Sequence, residues 1–430
     1  MIAKQKSDVA RAKPLVREEI PVGVVGLGLM GTSITACLVA AGHRVIGIEK
    51  APSARRLVRG RLKRLLEQSR EHKLLRAAPG PMLGRFSVAG DFHELRDAQL
   101  VIECVTEDFA EKKEALRRIE GVIARNAVIG TNTSGLPVAI LQKGTSHPER
   151  ILGIHWAEPA HITRFMEIVC GPATDMRYAQ RIVTLAQAWG KEPSLLKRDI
   201  RGFITNRCFY ALLREAFYLV EAGYATVADV DRSLRNDLGY WITFAGPFRF
   251  MDITGIRAYG EVMKGLFPEL SCQKGVPHRM RRVVRSGAQG ISNARGFYPY
   301  SRLDARKWHE KFLQFSYEIR ALAEKYASLH QERVARGRSK VCPATPRPRL
   351  SKARRLLDWR KAWQISPLVC ASVAGSSQSE SQHRAWRGPS ETRCCRIHRR
   401  LRMARVRSPS VGCRFSCRAT PRQKTGLRPR

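Results

Sequence analysis

The chain has 430 residues, 43% of them hydrophobic, and a formal net charge of +40. The hydrophobic fraction is ordinary for a folded protein and excludes a chain too polar to bury a core. The length allows two or three domains. The charge is concentrated at one end, because residues 331–430 hold 26 Lys and Arg against 4 Asp and Glu.

The first predicted elements follow a polar extension, residues 1–20, which we expect to be flexible. Residues 21–42 contain no charged side chain and are long enough to cross a bilayer. Their glycines instead indicate a buried strand, Val22–Val25, a tight turn, and a helix from about Gly31 to Gly42. No targeting signal precedes this segment, so we expect a cytoplasmic protein without a membrane segment.

Strand and helix patterns then alternate up to about Lys197. The predicted strands are short apolar runs, at Arg44–Ile48, Leu100–Cys104, Val128–Gly130, Ile151–Ile154 and Met166–Val169. Helical spacing occupies about Ser53–Arg70 and Phe109–Ile123. Such runs are typical of a parallel sheet that is covered on both faces. We therefore predict a doubly wound, Rossmann-type α/β domain over residues 21–198.

From Gly202 the pattern changes to helices alone. Helical spacing is present in Phe203–Ala222, Val227–Leu234, Arg249–Leu266 and Trp308–Ala327, with no alternating strand pattern between them. The sequence therefore predicts a smaller, all-helical second domain over residues 199–330.

The last hundred residues, 331–430, form a basic tail rich in Arg, Ser and Cys. Its periodicity fades, and we predict that the tail is disordered. Its cations allow non-specific binding to nucleic-acid phosphates, which is a function of another class. No recognition motif accompanies them, and no cysteine spacing indicates a metal site. The same composition would result from GC-rich DNA read in another frame.

A glycine fingerprint, Gly26-x-Gly28-x-x-Gly31, follows the first predicted strand and opens the first helix. Gly26 allows a tight turn, Gly28 lets the backbone approach a pyrophosphate, and Gly31 lets the helix pack closely. Glu49 ends the next strand, where its carboxylate can accept hydrogen bonds from ribose hydroxyls and repel a 2′-phosphate. The pattern therefore predicts NAD as cofactor, contacted by Glu49 and by the turn residues Gly26, Leu27, Gly28, Leu29, Met30 and Gly31.

Four polar residues after this fingerprint indicate the oxidation of a secondary alcohol. His155 and Glu167 belong to two predicted strands that, as sheet neighbours, would bring an imidazole and a carboxylate together. A histidine that titrates near neutrality can take the hydroxyl proton while the hydride leaves. Ser134 and Asn206 can hold the substrate oxygen. Each residue also has a structural interpretation: a helix cap for Ser134, a buried pair for His155 and Glu167, and a helix bridge for Asn206.

In the order of its motifs the chain resembles the NAD-dependent L-3-hydroxyacyl-CoA dehydrogenases, from about Val22 to Tyr300. The resemblance is carried by Gly26-Leu-Gly-Leu-Met-Gly31, Glu103-Cys-Val-Thr-Glu107-Asp, Asn132-Thr-Ser134, Gly153-Ile-His155, Met166-Glu167-Ile-Val, Gly202-Phe-Ile-Thr-Asn206-Arg, Gly246-Pro-Phe and Arg295-Gly-Phe-Tyr298.

This resemblance implies a function for each of the four polar residues. His155 would be the general base and Glu167 its orienting carboxylate, while Ser134 and Asn206 would contact the substrate oxygen. The resemblance also implies that the helical domain forms a homodimer. The resemblance also implies that Glu107 and Lys112 lie near the nicotinamide half of NAD, and we expect Asn132 and Ser134 to be further cofactor contacts.

Two departures from the family pattern concern the substrate. Glu158 replaces the asparagine of His-Phe-Phe-Asn-Pro, and Gly135 replaces a second serine. The expected substrate is a 3-hydroxyacyl-CoA, whose phosphates Lys63 and Arg64 on the basic second helix would bind. The alternative is a free or polar hydroxy acid, which the charge of Glu158 favours.

Overall fold

Strands and helices alternate along the first part of the computed structural model, which describes residues 19–326. The strands are β1 Pro21–Val25, β2 Arg44–Ile48, β3 Phe86–Ala89, β4 Leu100–Glu103, β5 Val128–Thr131, β6 Ile151–His155, β7 Phe165–Cys170 and β8 Glu192–Leu196. The helices of this part are α1 Leu29–Ala40, α2 Pro52–Glu71, α3 Pro79–Gly84, α4 Phe109–Glu120, α5 Val138–Gln142 and α6 Met176–Ala188. The first 18 residues and the basic tail lie outside the described residues.

The eight strands form one sheet in the order β3-β2-β1-β4-β5-β6-β7-β8. Six of them run parallel, and the chain reverses between β6 and β7, which pair antiparallel. The prediction of a doubly wound α/β domain is confirmed, with the correction that β7 and β8 run against the other six strands. The strand order changes direction between β1 and β4, the position at which open α/β sheets bind ligands.

Two hydrophobic clusters cover the two faces of this sheet. Along β4, Leu100 and Ile102 join one cluster with α1 and α2, whereas Val101 joins the other with α4. Successive side chains of a strand point to opposite faces, so a continuous apolar run is required where both faces are covered. All four residues of β4 and all four of β5 are buried.

The sequence prediction missed both edge strands, β3 and β8. Neither is a continuous apolar run: β8 reads Glu-Pro-Ser-Leu-Leu and buries only Leu196. A strand covered by a neighbour on one edge alone can carry polar residues and proline. For that reason the apolar pattern that identified the central strands was absent here.

The second part of the described chain is helical, as predicted. Its helices are α7 Thr205–Glu221, α8 Val227–Asn236, α9 Leu238–Ile242, α10 Pro247–Thr254, α11 Ile256–Leu266, α12 His278–Arg285 and α13 Arg302–Tyr326. The single helix predicted over Arg249–Leu266 is wrong. It is divided into α10 and α11 at Gly255, which has a φ of +113°, a backbone conformation that interrupts a right-handed helix.

The long helix α13 packs back onto the α/β part. The Tyr317 hydroxyl lies 3.2 Å from Ser69 Oγ on α2, and the Arg320 guanidinium donates to the Ile162 carbonyl. Helices α7, α9, α10, α11 and α12 bury no side chain. In residues 19–326 no helix is both long and apolar enough to cross a membrane.

Candidate active site

The glycine fingerprint forms a sharp turn between β1 and α1. Gly26 has a φ of +88°, and a Cβ there would lie 2.8 Å from the Cys104 carbonyl oxygen. A Cβ at Gly31 would lie 1.9 Å from the Gly26 oxygen, whereas a Cβ at Gly28 would meet no atom within 4 Å. The backbone is therefore tightly packed at the first and third glycines and open at the second, which fits the approach of a dinucleotide pyrophosphate.

Glu49, at the end of β2, lies beside this turn. Its Oε2 accepts a hydrogen bond from the Leu27 amide at 3.3 Å. Arg55 Nη1 donates to the Glu49 carbonyl at 3.1 Å, and Arg61 Nη2 donates to the Leu27 carbonyl at 3.0 Å. The half-buried carboxylate thus stands next to the open turn, where an adenosine ribose would be held.

His155 and Glu167 face each other across the β6–β7 pair. They are register partners, and His155 Nδ1 lies 2.9 Å from Glu167 Oε2. His155 Nε2 lies 3.1 Å from Ser134 Oγ, in the loop that follows β5. One continuous chain of hydrogen bonds therefore joins a hydroxyl, an imidazole and a carboxylate, as in sites that activate an oxygen by proton transfer.

The second oxygen of Glu167 is held by the start of α7. Glu167 Oε1 accepts hydrogen bonds from the amides of Ile204 at 3.0 Å and Thr205 at 2.9 Å. Burial raises the pKa of Glu167, but the hydrogen bonds from His155 and from these amides outweigh it and place the pKa below its ordinary value. The buried carboxylate therefore remains charged and can stabilise a protonated imidazole.

Asn206 lies one residue further along α7. Its Nδ2 donates to the Ser134 carbonyl oxygen at 2.8 Å, and the residue is half-buried. The structure thus brings all four predicted residues, Ser134, His155, Glu167 and Asn206, into one hydrogen-bonded cluster.

A second carboxylate, that of Glu107, holds the loop that contains Ser134. Glu107 Oε1 accepts hydrogen bonds from the Ser134 and Gly135 amides at 3.0 Å and from the Thr133 hydroxyl at 2.5 Å. Burial raises the pKa of Glu107. The Thr133 hydrogen bond, the nearby charge of Lys112 and the two amides lower it by more, so the pKa lies below its ordinary value. Glu107 therefore fixes the position of the loop as an ionised acceptor.

Lys112 is fully buried, and its ammonium joins Glu107 to Glu103. The Nζ atom lies 2.9 Å from Glu103 Oε1 and 3.4 Å from Glu107 Oε2. Glu103 is also fully buried and accepts from the Thr131 hydroxyl at 2.6 Å. The sequence interpretation placed Lys112 at the cofactor and gave Glu103 no function. The available signal was the position of Glu103 as a charged residue at the end of a buried apolar strand.

The loop after His155 packs around Trp156. Asn132 Oδ1 accepts from the Trp156 amide at 3.0 Å, and the indole stacks on Trp189 at 5.7 Å. The Lys191 ammonium lies 4.8 Å from the Trp156 ring, and burial lowers the pKa of Lys191 to about 8. These contacts attach the loop to the sheet. The path of the loop therefore depends on Asn132, Trp189 and Lys191, which lie outside the sequence motif around His155.

The predicted substrate residues lie at two separate places. Glu158 lies at the surface beside α13, where partial desolvation of its carboxylate raises the pKa and the charge of His309 lowers it. Lys63 and Arg64 lie on the exposed face of α2, where Lys63 Nζ is 3.7 Å from Glu67. Both side chains are exposed to solvent, whereas Arg61 on the same helix donates to the Leu27 carbonyl.

Comparison with known protein families gives two matches that together cover residues 21–300. The NAD binding domain of 3-hydroxyacyl-CoA dehydrogenase matches residues 21–200, and the C-terminal domain of the same enzymes matches residues 202–300.

Two relatives illustrate the range of similar proteins. A 3-hydroxybutyryl-CoA dehydrogenase from Mycobacterium tuberculosis is 32% identical over 65% of this chain and 98% of its own length. A 5-formyl-3-hydroxy-2-methylpyridine 4-carboxylate 5-dehydrogenase from Mesorhizobium japonicum is also 32% identical, over 65% of this chain and 90% of its own. A crystal structure of an enzyme with that second activity, described as an NAD⁺-dependent dismutase, superimposes with a TM-score of 0.67 at 29% identity, covering 71% of this chain and 99% of that one.

Proposed function

The chain belongs to the 3-hydroxyacyl-CoA dehydrogenase family and is an NAD-dependent oxidoreductase, and we propose that it oxidises the C3 carbinol of a 3-hydroxyacyl-CoA with His155 as general base. The observation that carries this proposal is the hydrogen-bonded series Ser134–His155–Glu167 at the ends of β5 and β6. It lies at the carboxyl edge of the sheet, the same edge as the glycine turn.

The residues of the turn fit the cofactor. The open space in front of Gly28 would receive the pyrophosphate, and Glu49 would accept from the ribose hydroxyls. Bound NAD supplies the acceptor for the hydride. Glu107 would lie near the nicotinamide half beside the Ser134 loop, with Lys112 acting through Glu107, and Asn132, next to the same loop, would be a further cofactor contact.

Proton removal is the step that this chain's own residues perform. His155 Nε2 takes the proton of the substrate hydroxyl, which Ser134 Oγ and the Asn206 amide hold in place. Glu167 binds Nδ1, so that the free nitrogen faces the substrate and the charged ring is stabilised as it forms. Such positioned acid–base catalysis contributes roughly 10²- to 10⁴-fold in rate.

A second candidate function is the oxidation of a polar hydroxy compound that carries no CoA. Two observations favour it: Glu158 lies three residues after the general base, and a relative named for a pyridine carboxylate substrate matches as strongly as the CoA enzymes. A carboxylate close to the site would select against some acyl groups without changing the proton transfer.

A comparison of substrates separates these two functions. NADH formation is measured with 3-hydroxybutyryl-CoA and with a panel of free hydroxy acids at equal concentration. We expect turnover with the thioester to exceed turnover with the free acids. Faster turnover with a free acid would replace the first proposal by the second, and the absence of turnover with either would contradict both.

We also propose that the helical domain, residues 199–330, forms a homodimer in the cytoplasm. The support is its exposed apolar surface, which includes Tyr240 at 82% and Phe248 at 79% exposure. Sedimentation should give the mass of two chains, and Phe248→Asp should reduce it to one. Leu57→Asp, at an exposed leucine of α2, is the matched control and should leave the dimer intact.

A further inference from the structure

A cavity of about 770 Å³ lies between the first turns of α13 and the short 3₁₀ turn at 291–293. Its volume is within the range of small-molecule sites. Its polar lining residues are Ser292, Asn293, Arg302, Arg306 and His309. The family match ends at residue 300, so the three basic residues of this wall lie beyond the matched region.

Those three basic residues lie on one face of α13. Arg302, Arg306 and His309 are spaced by four and three positions, which places their side chains in one row along the helix. In the described part of the chain neither Arg302 nor Arg306 forms an ion pair or a side-chain hydrogen bond. By contrast, Arg320 of the same helix pairs with Glu324 at 2.9 Å. Arg302 and Arg306 therefore present unpaired guanidinium groups to the cavity, whereas His309 has the Glu158 carboxylate nearby.

The opposite wall does not neutralise these cations. The Ser292 hydroxyl donates to the Gln289 carbonyl at 2.9 Å. Asn293 Nδ2 donates to the Gly287 carbonyl at 2.8 Å, and its Oδ1 accepts from the Gln289 amide at 2.9 Å. Both side chains are occupied within their own turn and hold that turn in shape. A guanidinium facing such a wall is available to pair with a carboxylate or phosphate.

The cavity lies near the start of the loop between β6 and β7, because its lining residue His309 is close to Glu158. Residues 158–162 run beside α13, with Glu158 near His309, His161 Nε2 3.4 Å from the Tyr317 hydroxyl, and the Ile162 carbonyl bound by Arg320. The loop and the helix therefore run in the same direction. The first turns of α13 lie beside the start of this loop, which directly follows His155.

We propose that this cavity is an anion subsite, in which Arg302, Arg306 and His309 bind a phosphate or carboxylate of the substrate remote from the reacting carbinol. The proposal deepens the proposed function and rests on it for the identity of that carbinol. Binding of the anion itself does not depend on turnover. A phosphate would come from a CoA thioester and a carboxylate from a polar hydroxy acid.

Isothermal titration of the full chain with CoA, pantetheine and glutarate distinguishes these sources. The test protein carries Arg302→Gln and Arg306→Gln. The control carries Lys307→Gln and Lys311→Gln, which remove the same charge from exposed positions of the same helix outside the cavity. His309→Gln is a second, milder variant, and circular dichroism verifies the fold of each protein.

We expect the arginine variant to weaken binding of one anion by about tenfold or more, with the lysine control and pantetheine binding unchanged. Weakened binding of CoA alone identifies a phosphate, and weakened binding of glutarate alone identifies a carboxylate. Unchanged affinity for both anions, or an equal loss in the lysine control, would overturn the subsite. If no substrate is oxidised, the proposed function fails while this titration still decides whether the subsite exists.

Discussion

The two halves of the described chain differ in how they use their hydrophobic residues. In the α/β half every residue of β4, β5 and β6 is buried, and two clusters pack on the two faces of the sheet. In the helical half five of the helices contain no fully buried residue, and Phe248 and Tyr240 are 79% and 82% exposed. The first half therefore builds its core from its own residues, whereas the second leaves apolar surface exposed, which is the support for the proposed homodimer.

Loss of the proposed general base, which the α/β half supplies, should reduce activity more than any other change considered. His155→Gln should lower kcat by roughly 10²- to 10⁴-fold, since the amide cannot accept the substrate proton at this position. Steady-state kinetics measure the loss, and titration with NAD should give unchanged cofactor affinity. Retained turnover would contradict the assignment of the general base.

The second effect concerns the stability of the α/β half. Lys112→Met should lower the free energy of unfolding by about 3–5 kcal/mol, because it leaves the fully buried Glu103 carboxylate without its partner. Urea denaturation measures this loss. The control Lys63→Met breaks an exposed pair with Glu67 and should cost less than about 1 kcal/mol. Similar losses in the two variants would show that burial does not control the energy of this pair.

Two substitutions by alanine, one in each half, compare the two halves directly. Leu100→Ala in β4 should destabilise the protein by about 2–5 kcal/mol, since it opens a cavity in a closed core. Phe248→Ala on α10 should change the unfolding free energy of a dilute monomer by less than about 0.5 kcal/mol. Both are measured by denaturation below the dimer dissociation constant. A large loss for Phe248→Ala would show that the helical half also has a closed core.

The smallest expected effect depends on pH. The pKa of Glu167 in the folded protein is lowered below its ordinary value of 4.5, so its carboxylate contributes stability above that pH. The contribution is lost as the pH falls through the lower, folded pKa. The Glu167→Gln variant should therefore be less stable than the unsubstituted protein above about pH 5, and the difference in unfolding free energy should shrink as the pH falls through the folded pKa of Glu167. If the difference in unfolding free energy persists in acid, packing rather than the charge of Glu167 is its cause.

Much of the α/β half was predictable from sequence, because its signals are local. The glycine turn, Glu49 and the central strands each follow from a few neighbouring residues. The proximity of His155 and Glu167 was predicted from two adjacent apolar runs, and their register pairing confirms it. These features share one property: the residue types that form them are close in the chain and constrained by a buried sheet.

The features that sequence did not give depend on distant contacts. Lys112 was expected at the cofactor, and only the folded chain shows that its ammonium is buried on Glu103. The charge of His309 acts on Glu158 across 151 positions of the sequence, an interaction that no local pattern encodes. The break at Gly255 was missed because an isolated glycine is tolerated within a helical pattern, and only its backbone angle decides the outcome.

The pairing of β6 with β7 has a consequence for how such an enzyme diversifies. His155 and Glu167 meet because they are opposite residues of one ladder, and a shift of a single residue would turn one of them to the other face. The nine residues between the strands, 156–164, lie outside this ladder, and four of them, Ala157, Glu158, Thr163 and Arg164, are not buried. Substitution at these four positions can change the charge of the connection while the ladder keeps His155 and Glu167 together, so the surroundings of the pair can vary without a change in the pair itself.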